Sequence, residues 1–177
     1  MRRIVITLLA ALTVGLASAP VQAADVANVP TTDAQLLQIK QNCKQAQSEL
    51  QRLQTTDVAT RVNRGRIYES LLNNLIAPFN SRVSLNRGDA SVLATTTTAI
   101  SQKFTDFKND YVTYSDLLSQ TLSVNCESNP NTFYNLLVAT RTARTTVATD
   151  VIDLNGLLDS YTSGYGTLRT TVLKANS

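Results

Sequence analysis

Residues 91–122 read SVLATTTTAISQKFTDFKNDYVTYSDLLSQTL, and the reading of this stretch decides the fold. Leu93, Thr96, Ile100, Phe104, Phe107, Tyr111, Tyr114, Leu118 and Leu122 recur at steps of three and four, which places them on one stripe of an α-helix. Thr95–Thr98 has β propensity, yet it sits inside the stripe, and no alternating run of useful length exists anywhere in the chain. A helix this long cannot bury its own stripe, so it needs partners of similar length.

The partners lie on either side. Upstream, Asn86-Arg87-Gly88-Asp89 is the clearest break, with Gly88 placed to close one helix and Asp89 to cap the next. Before it, Val58, Val62, Leu72, Leu75, Ile76, Phe79 and Val83 form a second helical pattern that contains Gly65 and Pro78. Proline there removes a backbone hydrogen bond and kinks the helix. Earlier still, Leu36, Ile39, Cys43, Ala46, Leu50 and Leu53 follow a cap at Thr31-Thr32-Asp33, and Thr55-Thr56-Asp57 either ends or interrupts that helix. Downstream, Asn125 to Pro130 closes the quoted stretch, and a last helix carries Phe133, Leu137, Val147, Val151, Leu154, Leu158 and Tyr161. Gly164 and Gly166 are expected to fray or stop it. The pattern predicts an all-α fold, an elongated antiparallel three-to-four-helix bundle, coiled-coil-like, with short turns.

The first 23 residues carry a different message. Arg2 and Arg3, an apolar run from Ile4 to Leu16 and the exit Val21-Gln22-Ala23 have the layout of a cleavable secretory signal. The apolar run is shorter than the roughly 20 residues that a membrane span needs, so no transmembrane anchor is expected after cleavage. The expected organisation is a signal at 1–23, a short leader at 24–32 and a single helical bundle domain at 33–174. The product is expected to be secreted or periplasmic.

Composition excludes several functions. The chain has 16 Lys and Arg against 13 Asp and Glu, and loss of the two signal arginines leaves a balance of +1, so nucleic acid is not an implied partner. Histidine is absent. The Glu-x-x-His pairs of di-iron bundles, haem attachment through Cys-x-x-Cys-His, most zinc sites and a Ser-His-Asp triad therefore cannot be built. The glycines have no P-loop spacing. No catalytic residue, cofactor or metal is expected, and the chain is read as a non-enzyme.

Folding the quoted helix back at Arg87-Gly88 sets residue i roughly opposite 175 − i, and a second turn near Glu127 pairs i with about 255 − i. These maps bring Asp110 near Arg64, Arg66 and Arg144, Asp116 near Arg61 and Arg141, and Lys103 near Asp150 and Asp153. They also bring Cys126 within roughly 10 Å, along the axis, of Cys43. An exported chain meets oxidising conditions, which favours a Cys43–Cys126 disulfide, with two buried free thiols as the alternative. Phe104, Phe107, Tyr111, Tyr114, Phe133, Tyr134 and Tyr161 are either core or the lining of a ligand pocket. The Arg87-Gly88-Asp89 triplet has the residue types that a turn between helices uses.

The stretch from Arg61 to Val83 resembles a segment of uncharacterised exported helical proteins of bacterial candidate phyla. The resemblance implies no activity, cofactor or site. The expectation is a non-enzymatic exported bundle that serves as scaffold, spacer or protein-binding module of the cell envelope or exterior, its partner another protein or a second copy. An extracytoplasmic bundle that binds a small ligand between its helices is the alternative.

Overall fold

Thr32 opens the first helix through a capping box: its hydroxyl accepts the Gln35 N–H while the Gln35 side chain accepts the Thr32 N–H. Helix α1 spans Asp33–Gln41, and a single residue, Asn42 at φ −105° and ψ 12°, separates it from α2 at Cys43–Ser70. A π-helical turn at Leu71–Ile76 leads into α3 at Ala77–Leu85. Helices α4 (Ser91–Ser123) and α5 (Pro130–Ala175) complete the chain. The computed structural model describes residues 31–175. The expected signal at 1–23, and the leader up to residue 30, lie outside the described residues. Among the described residues there is no strand, so the chain is all-α, and its helices form a bundle.

From α1 to α3 the chain is one long arm, and the π-helical turn explains how it survives Pro78. Proline has no N–H to give the Asn74 carbonyl, and its ring would press on that carbonyl in a regular helix. Widening the preceding turn, so that the Ala77 N–H reaches back five residues to Leu72, relieves the clash. The widened turn also rotates the following face. Tyr68, Leu72 and Ile76 are buried at intervals of four, and beyond the turn Phe79 and Val83 continue the inner side.

The structure corrects the expected stripe on this arm. Val58, Val62 and Leu75 are exposed, and the inward positions pass instead through Leu53, Asp57, Arg61 and Tyr68. Thr55-Thr56-Asp57 does not end the helix. Two further expectations change. At the Asn86–Ala90 turn the left-handed residue is Arg87 (φ 59°), not Gly88, while the Gly88 N–H bonds the Val83 carbonyl and a Cβ there would meet Val83 Cγ1 at 2.8 Å. Helix α5 does not stop at Gly164 or Gly166 but runs to Ala175. Gly164 lies against Leu93, where a Cβ would sit 3.0 Å from Leu93 Cδ2.

Contacts fix the relation of the arms. Cys43 meets Cys126, Gln54 meets Ser119, Asp57 meets Tyr114, Tyr68 meets Phe104 and Asn80 meets Thr97. Numbers climb along the first arm as they fall along α4. Between α4 and α5 the same holds, from Thr121 with Thr140 to Lys103 with Asp150 and Asp153. Three apolar clusters follow each other along the bundle. One surrounds Cys43, Cys126 and Phe133, the next Tyr111, Tyr114 and Leu118, and the last Tyr68, Ile76, Ile100, Phe107 and Leu154. The disulfide is formed, with Cα atoms 5.5 Å apart and both residues buried.

Threonine is handled in one way on α4 and α5. Thr95, Thr96, Thr97 and Thr98 each donate to the carbonyl four residues earlier, as do Thr142, Thr145, Thr146 and Thr149. This back-bonding satisfies the hydroxyl within the helix, which lets a β-favouring run stay helical. Among the described residues no helix is long and apolar enough to cross a membrane.

Candidate ligand compartment

A groove of about 570 Å³ lies between α2 and α5, floored by α4. The floor is Phe107, Tyr111 and Tyr114, spaced four and three along α4 and all buried. Helix α2 contributes Asp57, Thr60, Arg61 and Arg64, again at three- and four-residue steps that share one face. Helix α5 supplies Arg141, Arg144 and Thr145, then the apolar Val147, Ala148, Val151 and Ile152. The α5 wall thus begins basic and becomes apolar, while the α2 wall opposite is polar throughout.

Asp57 ties the three arms together. Its Oδ2 accepts from the Tyr114 hydroxyl at 2.7 Å and from Arg144 Nε at 2.8 Å, while Oδ1 accepts from Arg144 Nη2 at 3.2 Å. Burial opposes ionisation of Asp57, but the bonds from Arg144 and Tyr114 outweigh it and hold the carboxyl below its ordinary range. The same contacts raise Arg144, chiefly through the bond to Asp57. Tyr114 is pushed well up, first by burial and then by donating to the Asp57 carboxylate, so the phenol stays protonated. Burial also raises Tyr111, against the pull of Arg61, whose guanidinium lies 4.7 Å over the Tyr111 ring.

Two side-chain contacts join α2 to α5 in this region. The Asp57–Arg144 bridge spans α2 to α5 within the lining, and beyond it along α2 the Tyr68 hydroxyl reaches Asn155 at 3.5 Å. Eleven residues of α2 separate Asp57 from Tyr68, about 16 Å of helix. Beyond the bridge lies a second hollow of about 530 Å³, lined by Ala46, Leu50, Leu53, Thr56 and Leu137 together with the Glu49–Arg52 ion pair. Asp57, Arg141 and Arg144 line both hollows, which meet at the bridge.

The structure separates the aromatic residues that the sequence grouped. Phe107, Tyr111 and Tyr114 line the compartment. Phe104 packs on Tyr68 and Phe107, Phe133 is buried beside the disulfide, Tyr134 is half-buried elsewhere on α5, and the Tyr161 hydroxyl donates to Asn80 at 2.7 Å. The expected ion pairs are redistributed. Lys103 does meet Asp150 at 3.4 Å and Asp153 at 3.6 Å, but Arg144 goes to Asp57 and not to Asp110. Arg61, Arg64, Arg66, Arg141, Asp110 and Asp116 enter no ion pair among the described residues. A shift of one helical turn accounts for this, since Asp57 occupies the inward position opposite Tyr114 and takes the arginine that α5 presents there.

Sequence reasoning missed the inward role of Asp57, reading Thr55-Thr56-Asp57 as an end or an interruption of the helix. Its signal was positional: it falls four residues after Leu53 and four before Arg61, a polar group on the inner stripe.

A second polar cluster lies on the far side of α4. Asp150 is buried, and its Oδ2 has no hydrogen-bond partner. Burial, helped by the Asp110 carboxyl and opposed by Lys103, raises its pKa. Among the described residues no group of three His, Cys, Asp or Glu is placed to hold a metal ion. No family model, curated protein or solved structure matches this chain.

Proposed function

We propose that this chain is an extracytoplasmic, non-enzymatic, antiparallel and coiled-coil-like helical bundle that binds a small ligand in the compartment between α2 and α5. One observation carries the reading: an aromatic-floored hollow of ligand size between α2 and α5, with the Asp57–Arg144 bridge across it. A preformed site of this kind orders little on binding, because α4 and the Asp57 hub already hold its walls. The disulfide agrees with work in an oxidising compartment, as does the signal layout of residues 1–23. The likeness of Arg61–Val83 to exported helical proteins points the same way. The opposed numbering of contacting residues on neighbouring arms supports the antiparallel arrangement.

A scaffold, spacer or protein-binding module of the cell envelope or exterior is the second reading, and it would need another protein or a second copy as partner. The partly exposed Val58, Val62 and Ile67 on α2 support it, since they present apolar surface that the other described residues do not fully cover.

Native mass spectrometry and light scattering on the purified protein separate the two. A monomer that carries or takes up one small molecule per chain supports the ligand-binding reading. A ligand-free, stable dimer or higher oligomer supports the scaffold and counts against the compartment as the functional site.

A further inference from the structure

We infer that the groove between α2 and α5 seats an acidic amphipathic helix of a partner protein, which lies along both walls as a fourth member of the bundle. The inference rests on the groove being the functional site, and it brings there the protein partner of the second reading.

Three helices leave that place open. Helices α2 and α5 each pack on α4, and they run parallel to one another, since the Asp57–Arg144 and Tyr68–Asn155 contacts both span 87 positions. The two hollows between them meet at the Asp57–Arg144 bridge and together follow α2 from Ala46 to Arg64, about 27 Å of helix. Both are open to solvent along their length. The walls recur at helical steps, with Leu53, Asp57 and Arg61 on α2 and Leu137, Arg141 and Arg144 on α5. Rows at this spacing are the ridges against which another helix packs, and a helix seated between them completes a four-helix arrangement around the floor of α4.

Charge says what kind of helix. The two hollows hold five arginines against two carboxylates, a net charge of +3. Glu49 is paired with Arg52 and Asp57 with Arg144, so Arg61, Arg64 and Arg141 have no ion partner among the described residues. These three are spread along the groove. The shared offset sets Arg61 level with Ala148 and Arg64 level with Val151, while Arg141 falls level with Gln54, beyond the bridge. Apolar groups stand among them on both sides of the bridge, Leu53 and Leu137 on one and Val147 and Val151 on the other. Basic and apolar surface thus alternate along the whole length. A single small anion meets one arginine and leaves the leucines in water, whereas a helix with acidic residues beside an apolar stripe answers both. Guanidinium suits the pairing, because its planar fork gives two hydrogen bonds to one carboxylate.

The test is calorimetric titration of the purified protein with a capped synthetic peptide of three heptads, leucine at the a and d positions and glutamate on the flanking ones. One control carries lysine for every glutamate, and another alanine for every leucine. The acidic leucine peptide is expected to bind one per chain, at least about tenfold more tightly than either control, the size of effect that one charge-assisted contact confers. It should gain helical circular dichroism on binding, since alone it is a marginal helix. The Arg64→Gln/Arg141→Gln variant is expected to lose about tenfold or more of that affinity. Its melting temperature should match that of the unsubstituted protein, because both side chains are exposed. Ala148→Glu, which puts a like charge on the exposed groove wall, should weaken binding as well. Arg66→Gln, on α2 but outside the lining, should change nothing. Equal affinity for the lysine control would overturn the acidic partner, and equal affinity for the alanine control would overturn the apolar seat. A stable dimer that Ala148→Glu abolishes would overturn the proposal in favour of a second copy in the groove. If the acidic peptide does not bind, the inference falls. A small molecule then found on the protein by native mass spectrometry, and lost in Ala148→Glu, leaves the ligand-binding reading standing; finding none removes the groove as the functional site too.

Discussion

Removal of the Cys43–Cys126 disulfide is the sharpest perturbation that the fold offers. The bond closes a loop across 83 positions, joining the start of α2 to the turn after α4. In the chain-entropy treatment, a closure of that length stabilises the native state by about 4.5 kcal/mol at 25 °C. Packing at the site gives no reason for a large discount, since both residues are buried among Ile39, Ala46, Leu50, Val124, Phe133 and Leu137. For a helical body of this size, unfolding entropy converts that figure to about 15 °C of melting temperature. Thermal and urea unfolding followed by helical circular dichroism, with and without reductant, measure it directly, and a free-thiol titration reports whether the bond was broken. The urea slope should rise on reduction, because the uncrosslinked unfolded chain exposes more surface. Cys43→Ala/Cys126→Ala should reproduce the reduced protein and fall slightly below it, through the packing lost with two sulfur atoms. A shift below about 3 °C, with both thiols shown to be free, would refute the argument that the bond constrains the unfolded chain.

Other outcomes follow from single side chains. Asp57→Asn should cost about 1–2 kcal/mol at pH 7, discounted because Arg144 is half exposed. The Asp57 pKa is depressed in the folded state, so its contribution is present above the ordinary carboxylate value of about 3.9 and is lost as pH falls through the folded value; urea midpoints of wild type and variant should therefore converge in acid. Asp150 has the opposite sign. Its raised pKa means that stability falls as pH rises above the ordinary carboxylate range, so Asp150→Asn should leave stability at pH 7 unchanged or raise it by up to about 1 kcal/mol, and a clear loss in urea unfolding would contradict the assignment. Thr121 and Thr140 face each other at 2.9 Å in the core while each also bonds its own helix; Thr121→Val alone should cost under about 1 kcal/mol, and adding Thr140→Val should recover most of it in a double-mutant cycle. Gly156→Ala should stabilise by about 0.5–1 kcal/mol, since nothing lies within 4 Å of an added Cβ, whereas Gly164→Ala should gain less or lose, as Leu93 must give way.

Helix α4, the start and inner face of α5, a helix cap at Thr31-Thr32-Asp33 and a Cys43–Cys126 pairing were legible in the sequence, because each rests on local spacing or on few choices; the Gln35 half of the capping box and the run of α5 through Gly164 and Gly166 were not. What failed was register on the first arm. Val58 and Val62 are apolar and one turn apart, so periodicity claimed them, yet the arm turns Asp57 and Arg61 inward and leaves both valines in water. Hydrophobic patterning cannot see this, because the inward groups are polar and their burial is repaid only by partners on two other helices. The π-helical turn escaped for a related reason. Pro78 announces a disturbance, but where the extra residue is absorbed depends on how Leu72 and Ile76 seat against α4. Of the candidate compartment, the aromatic floor could be read from three- and four-residue steps; the division of those aromatics between floor and core could not, since it depends on where the groove falls between α2 and α5.

The back-bonded threonines have a consequence for how the bundle meets its medium. Beside its charged side chains, the outer surface of α4 and α5 presents many threonine hydroxyls that share carbonyls with the helix backbone. Hydroxyls do not titrate, and with no histidine in the chain few groups change charge between about pH 5 and 8. Nor is this hydration screened when salt rises, as the attraction between surface charges is. The part of the surface made of such hydroxyls keeps its charge and its hydrogen-bonding capacity across acid or neutral, dilute or briny surroundings.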